Sequence, residues 1–171
     1  MCGRFYFDVD EVINSELVQY DDHHLLKSAI SKEYYPSEKL YVLCNQNKIT
    51  LKQMKWGIRL NKQLLINARS ENLSLKPFFK SFMDQACLIP CSGFYEWKDK
   101  TKYYFRKDQL FYLIGIYNQK EEVVILTVQA KTKVQQIHHR QPLTLTQDQV
   151  EAFFKKQYLI KVDDDFQIEV S

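Results

Sequence analysis

The feature that most constrains the fold is a run of strand-like segments, joined by short polar turns, in the second half of the chain. These segments are rich in β-branched and aromatic residues, which favour strands. They are Ala86–Pro90, Gly93–Lys98, Tyr103–Arg106, Leu110–Tyr117 and Val123–Gln129. The turns between them include Asp99-Lys100-Thr101, Lys107-Asp108-Gln109 and Asn118-Gln119-Lys120. Because short loops join antiparallel neighbours, the run predicts an antiparallel sheet.

Outside this run the elements are fewer and shorter. Apolar residues at helical spacing predict a helix over Asp10–Tyr20, with Asp8 or Asp10 as its N-cap, and the polar residues 21–36 are expected to be mostly loop. Further strands are expected at Lys39–Cys44, Lys48–Trp56, Leu64–Asn67 and Phe166–Val170. Further helical turns are expected at Ser70, at Pro77–Met83 and after the capping box Thr146-x-x-Gln149. Since βαβ alternation is absent, the fold class is α+β: a curved antiparallel sheet or open barrel with few flanking helices.

Composition indicates a globular chain and excludes several classes of protein. Of the 171 residues, 45% are hydrophobic and 26% are charged, which fits a single domain over residues 1–171 and excludes a disordered chain. No apolar run approaches the roughly 18 residues of a membrane helix, and no secretory signal is evident. We therefore expect a cytoplasmic monomer without a membrane partner, associated with the nucleoid if the source is bacterial. A net charge of +3 permits a basic face without requiring one.

The four cysteines do not form a metal-binding motif. They are Cys2, Cys44, Cys87 and Cys91, and none of them belongs to a C-x-x-C pair. We therefore expect no metal and no other cofactor. Cys44 and Cys87 lie in apolar runs and are expected to be small buried hydrophobes.

Cys2 differs from the others because it follows the initiator methionine. Removal of Met1 would leave Cys2 with an α-amine whose pKa is about 7.7–8.0, far below that of a lysine. Such an amine forms imines readily, and the thiol on the next carbon can close an imine into a five-membered thiazolidine. Because one residue holds both nucleophiles, ring closure has a large effective concentration. The alternative is an ordinary cysteine at the start of a strand.

Two further motifs carry polar residues next to apolar strands. In Asn67-Ala68-Arg69-Ser70-Glu71, alternation places Asn67 and Arg69 on the same side, which suits orienting a nucleophile beside a phosphate. In Pro90-Cys91-Ser92-Gly93-Phe94-Tyr95-Glu96-Trp97, a desolvated Glu96 would have a raised pKa and could transfer protons. The alternatives are a strand end with a helix cap at Ser70, and a glutamate on a solvated strand face.

A basic segment and a tryptophan complete the candidates. In Ile137-His138-His139-Arg140-Gln141-Pro142, His138 could act as an acid and base near neutral pH, and Arg140 could hold a phosphate. Trp56, next to Lys55, could stack on an unpaired base. The alternatives are a solvated basic loop and a core tryptophan, and His23 and His24 are expected to be surface residues.

Taken together and in order, these motifs resemble the SOS response-associated peptidase (SRAP) family of abasic-site processing proteins. The shared features are an M-C-G-R-F start, W-G-I, N-A-R-S-E, P-x-x-G-F-Y-E-W and H-x-R-x-P, which run from Cys2 to Pro142. The resemblance implies an α+β domain with a barrel-like β core and a positively charged cleft. It also implies binding of single-stranded DNA that contains abasic sites, cross-linking through the N-terminal cysteine, removal of the first residue by the protein itself, and possible lyase activity.

The resemblance also implies roles for individual residues. Cys2 corresponds to the nucleophile, Asn67 to the residue that orients it and the opened sugar, Glu96 to the proton shuttle, and His138 to the residue that helps open the sugar ring and governs reversal. The implied DNA contacts are Arg4, Arg69 and Arg140 to phosphates, and Pro36 and Trp56 to bases. The sequence departs from the family at Gln141, where a methionine is usual, and at Tyr34-Tyr35, where the approach to Pro36 is usually rich in asparagine.

Two other functions compete with this interpretation. Class II glutamine amidotransferases also begin Met-Cys-Gly and use the cysteine's own amine as a base. They need a glycine-rich frame and an Asn-Gly oxyanion segment, whereas this chain has four glycines and no Asn-Gly. The second alternative is a non-catalytic single-strand binding module, in which Glu96 and His138 would have no reason to accompany Cys2.

Overall fold

The structure, a computed structural model, describes residues 2–157 and 159–171. Its strands, in chain order within these residues, are β1 (Phe5–Phe7), β2 (Lys32–Tyr34), β3 (Lys39–Asn45), β4 (Ile49–Trp56), β5 (Ile58–Leu60), β6 (Gln63–Leu65), β7 (Asn67–Arg69), β8 (Ala86–Lys98), β9 (Thr101–Tyr117), β10 (Glu122–Gln129), β11 (Arg140–Pro142), β12 (Thr144–Thr146) and β13 (Gln167–Val170). The α-helices are α1 (Val9–Ile13), α2 (Pro77–Lys80), α3 (Thr132–Gln135) and α4 (Val150–Phe154). Turns of 3₁₀ helix lie at Glu16–Tyr20, Leu25–Ser28, Ser70–Asn72 and Gln147–Gln149.

A long hairpin of β8 and β9 is the centre of the sheet. Its tight turn places Asp99 and Lys100 at φ values of 49° and 69°, the left-handed geometry that suits the twist of a two-residue hairpin. From β9 the pairing continues through β10, β4 and β3 back to β8. The sheet therefore curves into a barrel-like core, in which β10 and β4 pair over only two residues on each strand.

The pairing of β10 matters most for function. β10 pairs in parallel with β7 and antiparallel with β11, so these two short strands lie near each other. At the other end of the chain, β1 pairs antiparallel with β8, with Phe5 opposite Phe94. The N-terminus, the Asn67 strand and the segment before β11 therefore converge.

The core fills the inside of the curved sheet with aliphatic and aromatic side chains. Phe94 and Phe105 stack with centroids 4.9 Å apart, and Phe166 packs edge-on against Phe94 at 5.2 Å. Cys44 and Cys87 are fully buried and belong to this core, as the sequence predicts. No helix among the described residues has the length and apolar character needed to span a membrane.

The α+β prediction is confirmed, and so are the strand pair around Asn45-Gln46-Asn47, Pro77 at the start of a helix and the Thr146–Gln149 capping box. Several predicted boundaries are wrong. The predicted helix over Asp10–Tyr20 ends at Ile13 and resumes as a 3₁₀ turn, and the predicted loop contains β2. The predicted strand Leu64–Asn67 is divided between β6 and β7.

The predicted turn at Lys107-Asp108-Gln109 does not reverse the chain. β9 continues through it, and the pairing with β8 shifts from Cys91–Phe111 to Gly93–Arg106 across a bulge. The polar residues of β9 therefore bulge out of a continuous strand. For the same reason, the two predicted strands Ala86–Pro90 and Gly93–Lys98 are one.

Candidate active site

Cys2 lies buried at the point where the three converging segments meet. The Asn67 side chain donates a hydrogen bond from Nδ2 to the carbonyl oxygen of Cys2, at 3.1 Å. Burial raises the pKa of the Cys2 thiol, and the nearby carboxylate of Glu96 raises it further. The thiol is therefore protonated at neutral pH and needs a base before it can act as a nucleophile.

Glu96 projects from β8 into the protein, with a relative exposure of 3%. Burial raises the pKa of its carboxyl, as the sequence predicts for a glutamate among aromatic residues. The alternative of a solvated strand face is excluded. On the same strand, Gly93 leaves the space that the Tyr104 ring fills. A Cβ at this position would lie 2.2 Å from Tyr104 Cε2.

His138 follows α3, and its ring faces Glu96 across the site. The His138 Nδ1 and the Glu96 Oε1 are 4.0 Å apart. The same Nδ1 lies 3.0 Å from both the backbone N–H and the carbonyl oxygen of Arg140. A neutral ring can accept from that N–H and a protonated ring can donate to that carbonyl, so the backbone accommodates either state. Burial lowers the pKa of His138.

His139 stacks on His138, with ring centroids 4.5 Å apart, but its own side chain faces solvent. The structure therefore brings together Cys2, Asn67, Glu96 and His138 and leaves His139 at the margin. His23 and His24 are exposed on a distant segment of the sequence, as predicted.

The Arg140 side chain is buried in the structure rather than solvated in a basic loop. It is 7% exposed, and its guanidinium forms two hydrogen bonds with the Glu71 carboxylate, at 2.6 and 2.9 Å. The same guanidinium also donates to the carbonyl oxygen of Thr127, at 2.7 Å. In this structure the Arg140 guanidinium is paired with a carboxylate, and its contact with a DNA phosphate stays a prediction.

Sequence reasoning assigned no role to Glu71. The Arg140 hydrogen bonds lower the pKa of Glu71 to about 2, so its carboxylate stays ionised through the neutral range. The sequence did contain a signal for this ion pair, because the acidic Glu71 of N-A-R-S-E and the basic Arg140 of H-x-R-x-P both lie close to candidate catalytic residues. Only the pairing of β10 with both β7 and β11 shows that they meet.

Trp56 lies in the core, which is the alternative to base stacking that the sequence leaves open. The side chain has no exposed surface, packs near Phe5 and donates from Nε1 to the carbonyl oxygen of Ile66, at 3.0 Å. It is a core residue, and in this conformation it cannot stack on a base.

The other predicted DNA contacts remain accessible. Arg69 is exposed at the end of β7, and Pro36 is half-buried in the turn after β2. Arg4 is half-buried, lies 3.5 Å from Glu33 and contacts the rings of Tyr35 and Trp97. Among the described residues, no group of three His, Cys, Asp or Glu side chains is arranged to hold a metal ion.

Comparison with known proteins gives the family. The sequence model of the family described as SOS response associated peptidase (SRAP) matches residues 1–165. The chain belongs to the SRAP family. Its relatives include the abasic site processing protein YoqW of Bacillus subtilis, at 31% identity over 86% of this chain and 77% of YoqW. The abasic site processing protein YobE of the same organism is 29% identical, over 86% of this chain and 79% of YobE.

A solved structure shows the same fold at a lower level of sequence identity. The crystal structure of a phage-related protein from Bordetella bronchiseptica superposes with a TM-score of 0.69 at 18% identity. The match covers 90% of this chain and 81% of the Bordetella protein. The SRAP chain described here therefore shares its curved-sheet architecture with that phage-related protein.

Proposed function

We propose that this protein recognises abasic sites in single-stranded DNA and joins them covalently through Cys2, which protects the lesion during the response to DNA damage. The observation that carries the proposal is that Cys2 lies next to three polar side chains suited to proton transfer and orientation. Asn67 donates a hydrogen bond to the Cys2 carbonyl oxygen, and Glu96 faces His138. Relatives at about 30% identity are named for abasic site processing, which supports the same substrate for this chain.

The reaction begins once Met1 has been removed, because an acylated nitrogen cannot form an imine. The sugar of an abasic site opens to a C1′ aldehyde when its ring oxygen receives a proton, and we assign the supply of that proton to His138. The Cys2 amine then attacks C1′, and loss of water leaves a C1′=N imine. The Cys2 sulfur adds to the same carbon, its proton moves to the nitrogen, and a thiazolidine results.

The buried carboxyl of Glu96 suits the second step. Because its pKa is raised, the Cys2 thiol needs a base before its sulfur can add to the imine, and we assign that role to the nearby Glu96 carboxylate, which burial makes more basic. Asn67 holds the Cys2 carbonyl with its Nδ2, while its buried Oδ1 has no hydrogen-bond partner within the described residues. That oxygen is therefore available to a hydroxyl of the opened sugar.

The imine has a second possible fate. It acidifies the adjacent carbon, so that loss of a proton there expels the 3′ phosphate by β-elimination and cuts the strand. Thiazolidine closure consumes the imine and suppresses this lyase reaction. Glu96 and His138 therefore set the balance between protecting the strand and cutting it.

A gel of the protein with an abasic single-stranded oligonucleotide, without borohydride, tests the proposal. We expect a complex that survives heat and denaturant. Cys2→Ser should give a complex only after reduction of the imine, whereas Cys91→Ala, which removes a neighbouring buried thiol, should behave as the parent. If Cys2→Ala cross-links as well as the parent, the proposed mechanism is wrong.

The same experiment separates the competing functions. A non-catalytic binding module would retard the oligonucleotide in a native gel and give no band under denaturing conditions. A glutamine amidotransferase would release ammonia from glutamine and give no DNA complex.

A further inference from the structure

Two exposed aromatic rings and a half-buried arginine form a cluster beside Cys2, which we call the aromatic patch: Tyr35, Trp97 and Arg4. The Arg4 guanidinium carbon lies 4.4 Å from the centroid of the Tyr35 ring and 5.0 Å from that of the Trp97 ring. Tyr35 is 43% exposed and Trp97 37%, although large aromatic rings are usually buried. The Cys2 sulfur lies 4.0 Å from the Arg4 carbonyl oxygen, so the patch adjoins the reactive residue.

The patch is held in place although it is exposed. The Tyr35 backbone N–H donates to Glu38 Oε2 at 2.7 Å, and its hydroxyl donates to Glu33 Oε2 at 3.3 Å. Trp97 follows the buried Glu96 on β8, and the alternation of the strand turns it outward. A ring that is already oriented loses little conformational freedom when a ligand stacks on it.

The charges around the patch favour binding of an anionic strand of DNA. Glu33 is shared between Arg4, at 3.5 Å, and Lys102, at 2.6 Å. The other carboxylate beside the patch, Glu38, pairs with Lys32 at 2.6 Å. Two carboxylates against three cations leave a net positive charge next to two exposed rings. Aromatic rings beside basic groups are the combination that binds unpaired nucleotides, because rings stack on bases and cations contact the backbone.

We infer that the aromatic patch stacks the unpaired nucleobase that neighbours the abasic nucleotide. The inference rests on the proposed function, and it gives Tyr35 and Trp97 the stacking role that the sequence assigns to Trp56. Trp56 cannot take this role because it is enclosed in the core.

Non-covalent affinity for two oligonucleotides tests the inference, with Cys2→Ala as the background so that binding is measured without cross-linking. One strand carries an abasic site between normal bases. In the other, the two neighbouring nucleotides carry tetrahydrofuran in place of a base. Tyr35→Leu should lower affinity for the first strand by about tenfold, and Tyr35→Phe by much less, because a phenyl ring still stacks. Neither variant should change affinity for the second strand.

The matched control is Tyr20→Leu, since the charged neighbours of Tyr20 are Glu16, Glu151 and Lys155, outside the site. It should bind both strands as the background does. If Tyr35→Leu lowers affinity equally for both oligonucleotides, or for neither, the stacking site is wrong. That result would count against the site even if the parent protein cross-links normally. If Tyr35→Leu loses affinity only for the base-flanked strand but the parent forms no covalent complex, the proposed function fails and the stacking site stands.

Discussion

Arg140 and Glu71 form a two-pronged ion pair that joins the segment bearing His138 to the strand bearing Asn67. The guanidinium is buried, and its remaining hydrogen bonds go to Thr127 on β10, the strand that pairs with both segments. His138 Nδ1 lies 3.0 Å from the backbone N–H of Arg140. The ion pair thus fixes the Arg140 backbone, which in turn orients the ring of His138.

We expect Glu71→Gln to lower the free energy of unfolding by about 1–2 kcal/mol at neutral pH, because it weakens charge-assisted hydrogen bonds to a buried guanidinium while its own side chain is half exposed. The Glu71 pKa of about 2 lies below its ordinary value of 4.5, so this contribution is complete above that value and is lost as the pH falls toward 2. Urea unfolding of both proteins from pH 2 to 8 measures it. A difference that grows as the pH falls would contradict the assignment.

The salt dependence of DNA binding should separate Arg140 from Arg4 and Arg69, the arginines expected to contact phosphate. With Arg4 and Arg69 as the contacts, the log–log slope for a single strand should be about −1.4, against about −2 for three contacts at roughly −0.7 each. Arg69→Ala should reduce the slope by about 0.7, for every base sequence alike. The double variant Glu71→Gln with Arg140→Gln, which keeps the local charge balance, should leave the slope unchanged. If the slope falls by a whole contact in the double variant, Arg140 does bind phosphate.

His138→Ala should slow both formation and reversal of the cross-link, by at least about a hundredfold, since general acid–base catalysis typically contributes that much. Burial lowers the pKa of His138, and Glu96, His139 and Arg140 surround it. The pH-dependent change in the parent's rates should therefore fall below the ordinary value of 6.5, and it should disappear in the variant. Rates from about pH 5 to 9 measure both effects. A larger loss in His139→Ala would mean that the wrong histidine has been assigned.

Loss of Met1 should accompany activity. Met1 lies outside the described residues, so this expectation rests on chemistry alone: the Cys2 nitrogen must be free to form an imine. The intact mass of active protein should lack one methionine. If the chain removes Met1 itself, Glu96→Gln produced without an aminopeptidase should retain it. Methionine retained on a fully active sample would disprove the requirement.

Much of the fold and part of the site follow from local patterns in the sequence. Aromatic and β-branched runs with short turns indicate most of the antiparallel neighbours, and the aromatic surroundings of Glu96 favour its burial. The chemistry of an amine and a thiol on one residue belongs to Cys2 wherever it lies. These properties depend on residues adjacent in the chain, so a single sequence is sufficient to predict them.

The tertiary structure decided which polar side chains meet and which aromatic residues face solvent. Arg140 and Glu71 are 69 residues apart, and only the arrangement of β7, β10 and β11 makes one the partner of the other. Trp56 ends a predicted strand and Tyr35 lies in a segment expected to be loop, and neither pattern determines exposure; the sheet encloses the first and leaves the second exposed beside Arg4. Such outcomes depend on how distant strands pack, since an arginine's partner and a ring's exposure are set by neighbours in space rather than by neighbours in sequence.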